Sequence, residues 1–295
     1  MGRKLLFIYN PKAGKAKIKN KLADILDIFA RAGYETTVFP TQGHGDARHF
    51  MEKRSRDYEL VVCSGGDGTL DETVTGMIES GFRTPLGYIP AGSTNDFGGS
   101  LSLPKNMIRA AEIIMEGKSF LCDLGAFNDD VFVYVAAFGL FTEVSYETAQ
   151  DVKNMLGHMA YVLEGMKRLS AIQSYPMRVS CEGNIIVEDF IFGMVTNSIS
   201  VGGLKNITGN DVKLDDGMFE VTLIKRPKNP IELNNIVVSL LNHKIDTDVM
   251  YCFHASKISF ESTEPVAWTL DGENGGSHKS VTIENIHQGM DIRVK

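Results

Sequence analysis

The chain has 295 residues, 43% hydrophobic and 23% charged, a make-up that suits a water-exposed globular protein long enough for one large or two medium domains. No window reaches the roughly 18 uncharged apolar residues of a membrane span, and no charged start leads into a long apolar run, so a cytoplasmic protein is expected. A net charge of −7 and four cysteines (Cys63, Cys122, Cys181 and Cys252) without a C-x-x-C pair argue against a nucleic-acid partner, a zinc site and a disulfide framework.

The charge is unevenly spread. Of the 30 lysines and arginines, 12 fall in the first sixty residues, against 7 of the 37 acids. Lys12, Lys15, Lys17, Lys19 and Lys21 crowd the start of a predicted helix, where cations oppose the helix dipole by roughly a few tenths of a kcal/mol each. Either something anionic offsets them, nucleotide phosphate or an acidic membrane surface, or they form a solvated face.

In chain order, Lys4 to Tyr9 is an apolar strand, followed by the turn Asn10-Pro11-Lys12-Ala13-Gly14-Lys15. A helix with Ile18, Leu22, Ile25, Leu26 and Phe29 on one face comes next. Gly33 ends that helix, Thr36 to Phe39 forms a second strand, and Asp46 to Arg56 a second helix. The β-branched run Glu59 to Cys63 is a strand covered on both faces.

It leads into Ser64-Gly65-Gly66-Asp67-Gly68-Thr69, after which Leu70, Val74, Met77 and Ile78 recur at helical spacing, so a helix begins near Thr69 or Leu70. Glycines here let a ligand reach the backbone, and free N–H groups at the helix start attract anions. A carboxylate inside such a cradle repels phosphate unless a cation or proton intervenes, so Asp67 points to a Mg²⁺-bridged nucleotide. The spacing is neither G-x-G-x-x-G nor the Walker form. The alternative is a tight strand-to-helix turn capped by Asp67 or Thr69.

A fourth strand, Leu86 to Ile89, enters another small-residue loop, Pro90-Ala91-Gly92-Ser93-Thr94-Asn95-Asp96-Phe97, and Ile108 to Met115 is a further helix. Strands alternating with helices predict a parallel sheet whose loops meet at the carboxyl ends of the strands. From about Ser119 the rhythm changes. Val131 to Ala137, Met177 to Cys181, Phe190 to Thr196, Phe219 to Ile224, Lys257 to Glu261, Ala267 to Leu270, Ser280 to Glu284 and Asp291 to Val294 read as short, mostly antiparallel strands. Helical stretches at Asn154 to Leu169 and Pro230 to Leu241 interrupt them. The expected division is residues 1–122 as an α/β domain and 123–284 as a mainly β domain, with residues 285–295 returning to the first. Exposed strand edges in the second domain allow pairing into a homodimer.

Four blocks, Asn10-Pro11-Lys12-Ala13-Gly14, Gly65 to Glu72, Gly92 to Phe97 and Leu270-Asp271-Gly272-Glu273, resemble in that order the signature blocks of the diacylglycerol kinase catalytic-domain family, closest to its soluble bacterial members. The Gly-Gly-Asp-Gly-Thr block alone is also found in NAD kinases and phosphofructokinases. The resemblance covers nearly the whole chain. It implies an α/β plus mainly β fold: an NAD-kinase-like α/β N-terminal domain (residues 1–122) that binds the nucleotide and a C-terminal β-sandwich (residues 123–284) that takes the lipid substrate, with the active site in the cleft. It further implies an ATP- and Mg²⁺-dependent lipid kinase that works at the inner face of the membrane.

Residue by residue, the resemblance sets nucleotide phosphates against Asn10, Pro11, Lys12, Ala13 and Gly14, and against Gly66, Asp67, Gly68, Thr69, Leu70, Asp71 and Glu72. Thr41 and Ser93 also fall at nucleotide-touching positions. Glu273 falls at the proton acceptor, with Asp271 beside it as a second catalytic carboxylate, although Asp271-Gly272-Glu273 by itself reads as a β-turn. Lys213 to Met218 resembles a structural Mg²⁺ loop with ligands at Lys213, Asp216 and Met218; without the family it reads as an Asx-type turn. Two departures stand out: Ser93 where the family usually has Thr, and Asp71 where it usually has Asn, which adds negative charge beside the phosphates.

The expected reaction carries the γ-phosphoryl group of ATP to the primary hydroxyl of diacylglycerol, a membrane lipid, giving phosphatidic acid. Asp67 and Asp96 hold Mg²⁺ or its waters, and Glu273 or Asp271 takes the proton. An apolar wall for the acyl chains is expected near Phe138 to Phe141 or Met155 to Met166. The alternatives are a kinase for another lipid, such as a sphingoid base or a phosphatidylglycerol, a soluble NAD kinase, and a non-catalytic lipid- or nucleotide-binding protein.

Overall fold

The computed structural model describes residues 2–140, 172–201, 204–205, 212–242 and 245–295. The expected helix Asn154 to Leu169 and the acyl wall at Met155 to Met166 lie outside them. The chain divides into two compact units, one of Met1–Asp123 with His287–Lys295 and one of Leu124–Ile286.

The first unit alternates strands and helices: β1 (Arg3–Tyr9), α1 (Leu22–Arg31), β2 (Tyr34–Pro40), α2 (Asp46–Arg54), β3 (Leu60–Gly65), α3 (Asp67–Glu79), β4 (Leu86–Pro90), the short α4 (Asp96–Ser100) and α5 (Met107–Glu116). The strands lie parallel in the order β4-β3-β1-β2, as expected of a βα alternation. Leu5 to Ile8 and Val61 to Cys63 are fully buried because helices cover both faces of such a sheet. On one face Ile25 and Phe29 of α1 and Ala110, Ala111 and Ile114 of α5 close over Leu5, Phe7, Leu60 and Val62. Phe29 meets Phe7 edge-on at 5.5 Å. The Asn106 side chain caps α5 by accepting the N–H groups of Ile108 and Arg109.

Helix α3 starts at Asp67, earlier than the expected Thr69 or Leu70, because Gly66 stays extended (φ −84°, ψ −176°) and serves as its N-cap. The apolar spacing locates the buried stripe, not the first turn. Similarly, the stretch after the first strand is a 3-10 turn over Lys17–Asn20 before α1; the buried Ile18 anchors it and leaves Lys17 and Lys19 exposed.

The chain leaves the first unit within β5 (Lys118–Phe127) and returns within the last strand, β15 (Glu273–Val294), whose Ile292 pairs in parallel with Leu86 of β4. Between them the second unit holds β6 (Asp130–Phe132), β7 (Val135–Gly139), β8 (Tyr175–Cys181), β9 (Asn184–Thr196), a small ladder of β10 (Ser200–Val201) with β11 (Leu204–Lys205), β12 (Phe219–Lys225), α6 (Pro230–Asn242), β13 (Met250–Ala255) and β14 (Lys257–Leu270). The antiparallel order is β13-β12-β9-β7-β14-β15, and β8 bridges the far ends of β9 and β14. The core centres on the single tryptophan, Trp268, with Phe138, Phe260 and Phe127 at 4.8, 5.1 and 5.2 Å. The α/β plus mainly β expectation holds.

Several boundaries differ from those expected. The two runs Lys257 to Glu261 and Ala267 to Leu270 are one strand, whose register shifts at Ser262 to Pro265 give a polar stretch that mimics a turn. Ser280 to Glu284 and Asp291 to Val294 are likewise parts of β15. Conversely, Val131 to Ala137 splits at Val133 and Tyr134. Strands β5 and β13 lie outside the runs expected above.

Candidate functional site

In the first unit, Tyr9, Ser64 and Ile89 stand in register, so β1, β3 and β4 end flush and their loops emerge together. Backbone hydrogen bonds lock the three. The Asn10 N–H donates to Ser64 O at 2.8 Å, and the Ala91 and Gly92 N–H groups both donate to Gly65 O, at 2.8 and 3.1 Å. Asn10 Nδ2 reaches Thr69 Oγ1 at 3.4 Å, joining the first loop to the first turn of α3. The packing is too close for side chains. A Cβ on Gly92 would stand 2.6 Å from Gly66 Cα, and one on Gly14, whose φ is +55°, 2.5 Å from Ala91 O. The loops therefore expose backbone, and the leading N–H groups of the 13-residue α3 point to the same place without acceptors inside their own helix.

Two carboxylates line this cradle. Asp67 heads α3 and Asp96 heads α4, and the Asp96 N–H donates to Asp67 Oδ2 at 3.2 Å. Asp96 is 4% exposed. Below them the Tyr88 hydroxyl lies 3.2 Å from Gly65 O and 3.3 Å from Asn95 Oδ1. Burial, then the nearby negative charges of Asp67 and Asp96, hold this phenol well above its usual range, so it remains a neutral donor. Burial likewise pushes the Cys63 thiol up to about 12, leaving it an inert core group.

The other expected nucleotide residues take varied places. Lys12 is exposed, its N–H on Asn10 Oδ1 at 2.9 Å; Pro11 is half-buried and Ala13 buried in the same turn. Gly68, Thr69 and Asp71 are half-buried along the first turns of α3, and Leu70 is buried beneath them. Thr41 is buried at the end of β2, its N–H on Tyr9 O. Ser93 is exposed at the tip of the third loop. Glu72 faces the start of α2, where its carboxylate accepts the N–H groups of Gly45 (2.6 Å) and Ala47 (3.2 Å) and lies 3.0 Å from His44 Nδ1. In effect it caps α2 from another helix.

In the second unit, Asp271 and Gly272 both have positive φ, 52° and 87°, and join Leu270 to its partner Glu273 as a two-residue hairpin of the type Asp-Gly favours. Asp271 is 5% exposed, and its carboxylate accepts three N–H groups, from Val133 (2.5 Å), Tyr134 (2.9 Å) and Val135 (2.9 Å). That demand breaks β6 from β7. Glu273, two residues on, is exposed. In the Lys213 to Met218 loop, Leu214 is buried, Gly217 has φ 80°, and the Met218 N–H donates to Asp216 Oδ1 at 3.1 Å, an Asx turn. Among the described residues no three His, Cys, Asp or Glu side chains gather to hold a metal, so a cation at this loop needs backbone carbonyls as well.

Asn95, Tyr88 and Glu220 were not among the expected site residues. Asn95, at φ 55°, clamps the third loop by accepting the Gly92 N–H and donating to Gly92 O, both at 2.8 Å. Asn before Asp after a run of small residues is a recognisable sign of such a left-handed position. Tyr88 carries no local signal, since its partner Gly65 is a neighbour across the sheet. Glu220, buried on β12, is pushed up to about 8 by burial, with Asp216's charge adding to it. A groove of about 620 Å³ lined by Pro176, Arg178, Val187, Asp189 and Glu261 contains none of the expected residues.

Comparison with known proteins shows what the chain is similar to. Residues 4–127 match the family described as diacylglycerol kinase catalytic domain, and residues 135–287 the YegS C-terminal NAD kinase beta sandwich-like domain. The chain is 35% identical over 280 residues to a diacylglycerol kinase of Staphylococcus carnosus (94% of this chain, 90% of that one) and 34% identical over 273 residues to one of Bacillus subtilis (91% and 89%). In fold, a crystal structure of a Bacillus anthracis diacylglycerol kinase, 23% identical, aligns over 100% of this chain and 97% of that one with a TM-score of 0.78; another chain from the same organism, 24% identical, covers 100% and 98% with 0.86. The two matched domains and the extent of identity together mean that the chain belongs to the diacylglycerol kinase family, a family of lipid phosphotransferases.

Proposed function

We propose that the chain transfers the γ-phosphoryl group of ATP to the primary hydroxyl of diacylglycerol, giving phosphatidic acid and ADP. The observation that carries this reading is the three-loop cradle of the first unit with Asp67 and Asp96 joined on its lip. Relatives named diacylglycerol kinase supply the acceptor.

Phosphoryl transfer asks the protein mainly to position groups and to neutralise charge. The N–H groups at the start of α3 and the backbone exposed by Gly14, Gly66 and Gly92 receive the phosphates. The donor set of Asp67 and Asp96 fits a hard divalent cation, which these two residues would hold; Mg²⁺, when bound, offsets the charge that builds on the phosphate oxygens. The lipid hydroxyl oxygen forms a bond to the γ-phosphorus as the bond from that phosphorus to the β–γ bridging oxygen breaks. Glu273 accepts the hydroxyl proton, and Asp271 sets the turn that presents it.

The lipid is reached from the bilayer surface. Lys12, Lys15, Lys17, Lys19 and Lys21 are all exposed, and each contributes about 1 kcal/mol beside anionic lipid. Binding to anionic vesicles is expected to weaken as salt rises, and binding indifferent to salt overturns this route.

The deciding assay follows labelled γ-phosphate from ATP and Mg²⁺ into diacylglycerol in mixed micelles, with Glu273→Ala as control and other lipids and NAD alongside. Labelled phosphatidic acid from the parent, lost in the variant, is expected. Label in another lipid changes the substrate, label in NAD changes the class, and no label in any acceptor leaves a binding role.

A further inference from the structure

Glu220 stands out among the acids of the second unit. It is 4% exposed, and its Oε2 is buried without a hydrogen-bond partner among the described residues. Its Oε1 lies 3.9 Å from Nε2 of His254 on β13, an ion-pair distance when that imidazole is protonated but too long for a hydrogen bond, and this contact leaves Oε2 untouched. On the other side, Thr196 Oγ1 turns to the Glu220 carbonyl, not to its carboxylate. A buried carboxylate with an orphaned oxygen is costly unless a cation or a proton compensates it.

The Lys213 to Met218 loop runs directly into β12, two residues before Glu220. It is held by the buried Leu214 and by the Met218 N–H on Asp216 Oδ1, and in the strand that follows Glu220 stands two residues after Met218, so the two side chains leave the same face of the extended chain. Two carboxylates and loop carbonyls are an oxygen-only donor set, which suits a hard divalent cation and not a thiophilic one.

We infer that Glu220 supplies a second carboxylate, through its orphaned oxygen, to a hard divalent cation at the Asp216 loop. The inference rests on taking residues 213–218 as a cation loop. It gives the buried acid a role that stabilises the start of β12, and it does not depend on which lipid the protein phosphorylates.

The test uses the full chain carrying Asp67→Asn, which removes a cradle carboxylate, with Mn²⁺ as probe and neither ATP nor lipid present. Bound Mn²⁺ is counted by the loss of the free-ion EPR signal, and melting temperature is recorded with Mg²⁺ and with EDTA. Glu220→Gln is expected to weaken Mn²⁺ binding by about tenfold or more and to erase the Mg²⁺-dependent rise in melting temperature, as Asp216→Asn also does. Should Glu220→Gln fail to fold, Glu220→Asp, which keeps the charge and shortens its reach, is expected to weaken Mn²⁺ binding in the same direction. Unchanged Mn²⁺ affinity and Mg²⁺ response in the Glu220 variant, or no Mn²⁺ bound by the parent background, overturns the inference and makes Glu220 a protonated core acid. A failed lipid-kinase assay leaves these readouts untouched.

Discussion

Asp271 and Glu273 are two residues apart, yet their surroundings give them different work. Asp271 answers three buried N–H groups from residues 133–135, whereas Glu273 is exposed. Asp271→Ala leaves those donors unsatisfied and is expected to lower stability by about 2–5 kcal/mol in urea denaturation. Glu273→Ala is expected to stay within about 0.5 kcal/mol of the parent while losing kinase activity, so denaturation and assay together separate a scaffold role from the proposed role of proton acceptor. Asp71, half-buried in the first turns of α3, adds a negative charge near the cradle. Asp71→Asn is expected to keep activity and to lower the KM for ATP by roughly two- to fivefold, since one like charge removed in a wet site is worth about 0.5–1 kcal/mol; a dead variant contradicts this. At this scale the turn propensity of Asp-Gly was legible, because positive φ is a local preference. The three donors that hold Asp271 were not, since they come from a strand junction more than a hundred residues away.

At the scale of elements, the cradle consists of three strand-to-helix loops held against one another by backbone. Gly92→Ala puts a methyl group where the second and third loops nearly touch. It is expected to reduce ATP affinity by at least about tenfold in calorimetry, equivalent to about 1.4 kcal/mol. Unchanged affinity would mean that the loops need not meet for nucleotide to bind. The βα rhythm and the glycine loops were readable from apolar runs and from the residue types that tolerate turns. The start of α3 was not, because a glycine N-cap leaves no side-chain signal and the first turn carries no buried stripe. The long strands β14 and β15 were misread as short ones because bulges interrupt their alternation without ending them.

For the whole molecule, the return of the C-terminal segment to the first unit is its least local feature. Ile292 is fully buried and pairs with Leu86 at the edge of the parallel sheet. Ile292→Ala is expected to cost about 2–5 kcal/mol and to lower the melting temperature, although the residue is three from the end of the chain; a neutral effect would show the pairing to be dispensable. The sequence by itself determined the class of fold, the order of the βα units and the residue types of the cradle, since periodicity, glycine and short polar loops act over a few residues. Only the tertiary structure decided that Glu72 caps α2, that Asp271 is tied to residues 133–135, that Tyr88 and Asn95 brace the third loop, and that Glu220 is buried with an oxygen that has no hydrogen-bond partner among the described residues. Each of these depends on donors and acceptors from distant strands being brought within about 3 Å, and such pairings leave no periodicity in the chain that folds to make them.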